Sequence, residues 1–308
     1  MNKLYSLIVA AVMAAVAGSC GPSAQERQRL SRAERRALAR QDSAALKIAT
    51  TPTMDCLPLF VGVDDSLFRA AGVDVRLRAR SSQMDGDTLI AGGHVEGVAT
   101  DLVRAERLRR EGTPLRYVAA TNARWQLVAN RLARVQELKQ LSDKMIAMTR
   151  HSATDWLADM AVDSAKPKHD VYRIQVNDVH VRLRMLLNNE MDAMLLPEPQ
   201  ATVARLHRNP VLMDSRDKGL RLGVIAFSER ALKDKRRRRQ LQLFVKAYNQ
   251  ACDSINRNGT AHYAAVIRKY MDVDGKTIAA LPRLHYAHAA APRPGDVERA
   301  RRRNGTGS

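Results

Sequence analysis

The sequence is poor in aromatic residues, which make up 4% of its 308 residues, and it contains only three cysteines. Three cysteines are too few for a scaffold built on disulfides, and neither a Cys-x-x-Cys pair nor a zinc-ribbon spacing occurs. Beyond the N-terminal segment no run of 18 or more apolar residues occurs, so no further membrane crossing is predicted. Nucleophile-elbow, zincin and phosphate-loop motifs are also missing, and we predict neither enzymatic activity nor a cofactor or metal.

Basic residues are plentiful by contrast. Lys and Arg number 51 against 32 Asp and Glu, which gives a formal net charge of +19. Such a surplus raises the question of a nucleic acid or an anionic membrane surface as partner. The hydrophobic content of 45% is enough to bury substantial cores, and the chain length suits two lobes of roughly 100 to 150 residues each.

The first twenty residues predict export. Lys3 precedes an apolar stretch over residues 4–17, and small residues then lead to Cys20. This ending resembles the lipobox of bacterial lipoproteins, although Ala17 stands where leucine is most common. We therefore expect a signal peptide at residues 1–19, lipidation of Cys20, and a basic tether at residues 20–45 facing the periplasm. An ordinary secretory signal and an uncleaved anchor are the alternatives, and an exported chain is expected to have no nucleic-acid partner.

The remainder of the chain shows two cycles of alternating strands and helices. Strand patterns occur at residues 46–50, 73–77, 95–99 and 115–120, and again at residues 144–148, 171–176 and 192–196. An apolar segment at residues 223–227 precedes a helical pattern that extends almost to residue 270. This order predicts an α/β fold with two lobes and a helical C-terminal region, with any ligand bound between the lobes.

Several strings in this pattern resemble the solute-binding lipoproteins of ABC importers, in particular the NMT1-like group related to sulfonate, taurine and thiamine-pyrimidine binding proteins. They include LKIATTPTMDCLPLFVG, DTLIAGGHVEGVATD, LKQLSDKMIAM and DAMLLPEPQATVAR, within residues 46 to about 270. The resemblance implies a bilobal type II periplasmic-binding-protein fold with a hinge of two crossing strands. It implies lobe 1 at residues 46–130 plus 222–290 and lobe 2 at residues 141–217, and we predict a disordered basic tail at residues 291–308.

The same resemblance implies a function. A monomer would capture a small polar organic solute between its lobes and deliver it to an ABC permease, while a lipid anchor holds it at the membrane. Two alternatives remain open. One is an enzyme of the same fold, of the pyrimidine- or menaquinone-pathway type, and the other is a receptor domain that senses a ligand without transport.

Candidate ligand residues follow from a general rule, because clefts of this kind take side chains from strand C-termini and helix N-termini. In lobe 1 the rule selects Thr53, Met54, Asp55, Met84, Asp85, Thr100 and Asp101. In lobe 2 it selects Arg150, Ser152, Thr154, Asp178 and Glu198, and Trp125 lies near the first crossover between the lobes.

These residues suggest two ligand chemistries. The carboxylates of lobe 1 favour an amine or an aminopyrimidine, whereas the segment from Arg150 to Thr154 suits a carboxylate, sulfonate or phosphate. A ligand with a donor head on lobe 1 and an anionic group on lobe 2 satisfies both. The structural alternative is that Asp55, Asp101, Asp178 and the hydroxyl residues cap helices, and that Trp125 packs in a core. Whether Cys56 and Cys252 form a disulfide is left open.

Overall fold

The computed structural model describes residues 32–305. The chain forms two compact units, Met1–Ala45 and Leu46–Ser308. The predicted signal peptide, Cys20 and the first part of the predicted tether lie outside the described residues. Within the first unit, Arg32–Ala44 form a helix with a largely exposed, arginine-rich surface. Among residues 32–305 no helix combines the length and apolarity needed to span a bilayer.

Ten strands and twelve α-helices make up the described chain. The strands are β1 (Leu46–Thr50), β2 (Val75–Ala79), β3 (Gly97–Asp101), β4 (Leu115–Ala120), β5 (Trp125–Ala129), β6 (Met145–Met148), β7 (Tyr172–Gln175), β8 (Ala193–Pro197), β9 (Val211–Asp214) and β10 (Gly223–Ser228). The helices are α1 (Arg32–Ala44), α2 (Leu57–Asp64), α3 (Leu67–Ala70), α4 (Gln83–Ala91), α5 (Leu102–Arg110), α6 (Ala153–Ala165), α7 (Val179–Leu187), α8 (Gln200–Leu206), α9 (Lys235–Asn258), α10 (Ala264–Met271), α11 (Gly275–Ala279) and α12 (Pro294–Gly305). Short 3-10 helices lie at Met54–Cys56, Arg131–Ala133, Leu138–Leu141, Ala231–Lys233 and Thr260–Tyr263.

The strands form two five-stranded mixed sheets, one in each lobe. The order in the first sheet is β2-β1-β3-β10-β4, and the order in the second is β7-β6-β8-β5-β9. In each sheet a single strand runs antiparallel to its neighbours, β10 in the first and β5 in the second. The predicted α/β fold with two lobes is therefore confirmed.

The chain crosses between the lobes twice. Residues 121–124 lead from β4 in the first sheet to β5 in the second, and residues 215–222 lead from β9 back to β10. Residues 125–129 were predicted within the first lobe, and this boundary is wrong. All five residues of β5 are buried and pair with β8 and β9. Pairing with a distant strand, rather than proximity along the chain, decides which lobe holds them.

The C-terminal residues also differ from the prediction, because residues 294–305 form helix α12 instead of a disordered tail. This helix packs against α5 in the first lobe. Ala300 is fully buried there, and the buried carboxylate of Asp296 pairs with Arg293 and Arg299. Only two residues of this helix, Asp296 and Ala300, are buried. Its composition is therefore as polar as that of a solvated segment, which explains why the sequence predicted a tail.

The few aromatic residues are concentrated in the first lobe. All four phenylalanines belong to one buried cluster between the sheet and the helices α2, α3 and α9. Phe244 of α9 is fully buried, with its ring 5.3 Å from Phe68 and 5.4 Å from Phe227, measured between centroids. A second cluster contains apolar side chains from both lobes, including Leu102 of the first and Ile146 of the second.

Cys56 and Cys252 are buried in the first cluster as free thiols, so they form no disulfide. Burial raises the pKa of Cys252 to about 12. Both side chains therefore act as small apolar core residues.

Removing the Phe244 ring is expected to destabilise the first lobe. Phe244→Ala should lower the free energy of unfolding by about 3–5 kcal/mol, because the vacated space is lined by rings that cannot fill it completely. The measurement is urea unfolding followed by circular dichroism. Gln242→Ala, at an exposed position of the same helix, is the control and should change the value by about 0.5 kcal/mol at most. A loss near the control value for Phe244→Ala would contradict this description of the core.

Candidate functional site

A cleft lies between the two lobes, beside the C-terminal ends of β1, β6, β7 and β8. The whole space between its lining atoms, counted together with the part that is open to solvent, is about 400 Å³. The first lobe and the crossing segment contribute Thr51, Thr53, Asp55, Gln83 and Ala123, and the second lobe contributes Trp125, Thr149, Asn177, Val179, Arg182 and Pro197. Seven of these side chains carry hydroxyl, amide or charged groups, so the cleft suits a small polar ligand.

The turn after β1 positions the lobe 1 wall. The backbone N–H of Thr53 donates to the carbonyl of Thr51 at 2.8 Å, and the two hydroxyl oxygens lie 3.0 Å apart. The 3-10 helix that follows buries Met54 and Cys56 in the core. Asp55, between them, is turned towards the cleft.

The carboxylate of Asp55 has hydroxyl neighbours and no cationic one. Its Oδ2 accepts a hydrogen bond from Thr121 Oγ1 at 3.2 Å. Among residues 32–305 no Lys, Arg or His forms an ion pair with it. Burial raises the pKa of Asp55, and hydrogen bonds from Thr53 and Thr121 only partly oppose that effect. This wall of the cleft therefore offers a carboxyl group that a positively charged ligand would stabilise in its ionised form.

The lobe 2 wall carries a guanidinium. Arg182 lies in the first turn of α7, is 3% exposed, and lines the cleft. Its Nη1 donates to the carbonyl of Leu195 at 2.6 Å, while its Nε has no hydrogen-bond partner. Burial lowers the pKa of Arg182 to about 10, and the charge of Asp178 only partly offsets this. A buried cation without a paired carboxylate is costly, so an anionic ligand group would be favoured beside it.

Hydrogen bonds between the lobes hold the two walls together. The N–H of Met54 donates to the carbonyl of Glu198 at 2.9 Å, and Gln200 Nε2 donates to the carbonyl of Pro52 at 3.1 Å. At the other end of the cleft, the N–H of Val179 donates to the carbonyl of Ser81 at 3.1 Å. The structure thus shows the lobes in contact on both sides of the cleft, which is a closed arrangement.

Among the residues predicted for lobe 1, Thr53 and Asp55 line the cleft and the others do not. Met54 is a core residue, and its carbonyl accepts from Tyr286 Oη at 2.9 Å. Asp85 is exposed, and half-buried Met84 has its sulfur 3.4 Å from Gln175 Nε2, across the lobe boundary. Thr100 and Asp101 are buried outside the cleft lining.

Of the positions predicted at the crossover and in lobe 2, only Trp125 lines the cleft, where it is 5% exposed. Ser152 and Asp178 cap α6 and α7 by accepting from backbone N–H groups of the first turn. Thr154 Oγ1 accepts from the N–H of Thr149 at 2.9 Å, and Arg150 is exposed.

Glu198 is the remaining predicted position. Its carboxylate pairs with Arg205 at 2.9 Å and accepts from Thr202 Oγ1 at 2.6 Å. The side chain is thereby held within lobe 2, although Oε1 has the ion pair and no hydrogen bond, and the backbone carbonyl of Glu198 reaches across to lobe 1.

Arg182 was missed because the strand-end and helix-start rule selected Asp178, the cap of α7, and not the fourth residue of that helix. A sequence signal for it exists, however. Val179, Arg182 and Leu186 follow the three- and four-residue spacing of one helix face, and all three are buried. An arginine on the apolar stripe of an amphipathic helix indicates a buried cation with a specific role.

Among the described residues, no cluster of three His, Cys, Asp or Glu side chains could hold a metal ion.

Residues 53–259 match the family model described as NMT1/THI5 like, and no curated protein matches the sequence. A protein from Bordetella bronchiseptica RB50 has a TM-score of 0.70 and 16% identity, over 84% of this chain and 89% of its own. The ligand-binding component of an ABC-type import system from Staphylococcus aureus, solved with zinc bound, has a TM-score of 0.70 and 12% identity, over 83% and 89%. The alkanesulfonate-binding protein from Xanthomonas axonopodis pv. citri, bound to MOPS, has a TM-score of 0.68 and 16% identity, over 84% and 90%. The fold is that of the periplasmic binding proteins.

Asp101 is a buried carboxylate at the start of α5. It is fully buried, and its Oδ1 accepts from the N–H of Arg104 at 3.0 Å, so it caps the helix. Burial raises the pKa of Asp101 to about 6, with Arg104 opposing the effect. Because the folded protein binds this proton more tightly than the unfolded chain does, the stability associated with Asp101 increases as the pH falls from about 6 towards 4.

Asp101→Asn should remove this pH dependence while keeping a residue that caps helices well. Relative to the variant, the wild type should gain up to about 3 kcal/mol in free energy of unfolding between pH 7 and pH 4. Urea unfolding at several pH values measures the difference, with Asp85→Asn at an exposed position as the control. A wild-type advantage that stays constant with pH would show that Asp101 is ionised throughout this range.

Proposed function

Because the chain belongs to the NMT1/THI5-like family, we propose that it is the solute-binding component of an ABC importer and captures a small polar organic molecule between its lobes. The observation that carries this proposal is the cleft at the crossing segments, lined with polar side chains from both lobes. The binding proteins from Staphylococcus and Xanthomonas with the same fold support it. On this proposal the chain binds its solute without converting it, and a membrane permease receives the solute.

Lobe closure is the proposed mechanism. Asp55 and Gln83 lie on one wall, and Arg182 and Asn177 lie on the other. A ligand that contacts both walls stabilises the closed state selectively, because a contact with one wall alone is equally available when the lobes are apart. The backbone hydrogen bonds from Met54 to Glu198 and from Val179 to Ser81 then form at the rim in the closed state.

A ligand screen tests this function. Amines, aminopyrimidines, sulfonates and amino acids are added to the purified protein, and its thermal unfolding is recorded. A ligand at 100 times its dissociation constant should add about 2.7 kcal/mol to the free energy of unfolding. It should also decrease the radius of gyration in solution scattering if the lobes of the free protein are open. The hit should be recovered chemically intact, and its conversion to a product would contradict a binding role and favour an enzyme of the same fold.

We further propose that the chain is an exported lipoprotein anchored on the periplasmic side through Cys20. The support is in the sequence: a basic residue, an apolar segment and small residues before the cysteine. The helix α1 and the residues before it would then form the tether. Their arginines would lie close to the membrane, where anionic headgroups attract them.

Cys20→Ala should abolish lipid attachment. In cells expressing the full chain, a fatty acid carrying an alkyne label should be incorporated into the wild type and not into the variant, and the variant should leave the membrane fraction. Cys252→Ala is the matched control, because that cysteine is buried in the folded domain and should leave labelling unchanged. Equal labelling of the wild type and Cys20→Ala would contradict the lipoprotein proposal.

A further inference from the structure

Two charged side chains of opposite sign line the cleft, one on each lobe. Asp55 belongs to the first lobe and Arg182 to the second, and they form no ion pair with one another. The rest of the polar lining consists of threonine hydroxyls and the amides of Gln83 and Asn177, which are neutral. Asp55 and Arg182 therefore determine which charges are favoured on a bound molecule.

Arg182 is the stronger of the two determinants. A side chain with 3% exposure has little access to water, and among residues 32–305 its guanidinium donates to a single acceptor, the carbonyl of Leu195. Its Nε is a buried hydrogen-bond donor without a partner. Buried donors are expected to find an acceptor in the functional state of a protein. A planar oxyanion such as a carboxylate, or a tetrahedral one such as a sulfonate, would accept from a guanidinium in this position.

Asp55 provides the complementary charge. The hydroxyl groups of Thr53 and Thr121 occupy only some of the lone pairs of its carboxylate, so the carboxylate can accept further hydrogen bonds. An ammonium group would supply both the donors and the positive charge that this carboxylate lacks among the described residues.

We propose that the solute is a zwitterion whose oxyanion is held by Arg182 and whose protonated amine is held by Asp55. This inference rests on the proposed function and specifies the class of solute for the same cleft. Because each charged end is bound by a different lobe, the molecule links the two lobes and so stabilises the closed state. A molecule with only one of the two charges contacts one wall strongly and leaves the opposite charge of the cleft without a partner.

The test uses matched probes that differ in charge and little in shape. Glycine, β-alanine, 4-aminobutyrate and 3-aminopropanesulfonate are the zwitterions, and butyrate and butylamine are the analogues with a single charge. The dissociation constant of each is measured by calorimetry with the full mature chain. At least one zwitterion should bind about 10- to 100-fold more tightly than either single-charge analogue, as expected when one charge-assisted contact is lost. Equal binding of a zwitterion and its analogue, or no binding of any zwitterion at 10 mM, would overturn the inference.

Substitutions assign each charge to its residue. Asp55→Asn should weaken binding of the zwitterion about 10- to 100-fold and leave binding of butyrate within about twofold, so that the preference for the zwitterion disappears.

Arg182→Lys keeps the positive charge but removes the planar guanidinium, so it should weaken binding of both the zwitterion and butyrate. Arg182→Met should abolish binding of both. Arg182→Met also tests a structural role, because removal of a buried cation without a paired carboxylate should leave the melting temperature of the free protein unchanged or higher. A lower melting temperature together with unchanged affinity would overturn the assignment of Arg182.

Two controls come from residues outside the cleft. Asp85→Asn and Arg150→Gln remove the same charges at exposed positions and should leave all dissociation constants within about twofold. A larger effect of either control than of its cleft counterpart would contradict the site. If the cleft instead binds a neutral or singly charged solute that is recovered intact, the zwitterion inference fails while the binding function stands. Conversion of a bound zwitterion to a product would overturn the proposed function and leave the charge assignment in place.

Discussion

The double crossing of the chain between two sheets is the constraint on which the rest of the structure depends. Each sheet includes one antiparallel strand that reaches it through a crossing segment: β5 follows the first crossing, and β10 follows the second. Both strands are buried along their whole length. Each lobe therefore completes its sheet only with a strand that the chain begins after crossing from the other lobe. The lobes are thereby held side by side, and the strand ends that face the crossings form the walls of the cleft.

The electrostatics of the cleft follow from this arrangement. Residues 51–55 after β1 and the first turn of α7 come from different lobes, yet they meet at the same opening. One brings a carboxyl group whose pKa is raised by burial, and the other brings a guanidinium whose pKa is lowered by burial. Both shifts have the same main cause, which is the removal of each charge from water. Each group is therefore costly to keep charged in the free protein, and a ligand that pairs with both would offset that cost.

Two carboxylates outside the cleft lining have a different role. Asp101 and Asp178 bond to backbone N–H groups at the starts of α5 and α7, and Ser152 does the same at α6. Strand ends and helix starts are where an α/β protein places both its ligands and its helix caps, so residue type alone does not separate the two. The separation comes from direction, because a cap turns its oxygen towards its own helix, whereas Asp55 and Arg182 face the opening.

The alternating strand and helix patterns of the sequence predicted the two α/β lobes, and the resemblance of several strings to solute-binding proteins of ABC importers indicated the family. Strands β1 and β4 have the predicted bounds, and the positions of Thr53, Asp55 and Trp125 followed from the strand-end rule. The tertiary structure decided the rest. Strand β5 joins the second sheet and α12 packs on α5 because partners distant in sequence bury them. Arg182 reaches the cleft because α7 packs against β8 and α8 within the second lobe, and the local sequence indicates this only through the spacing of the buried residues on one helix face.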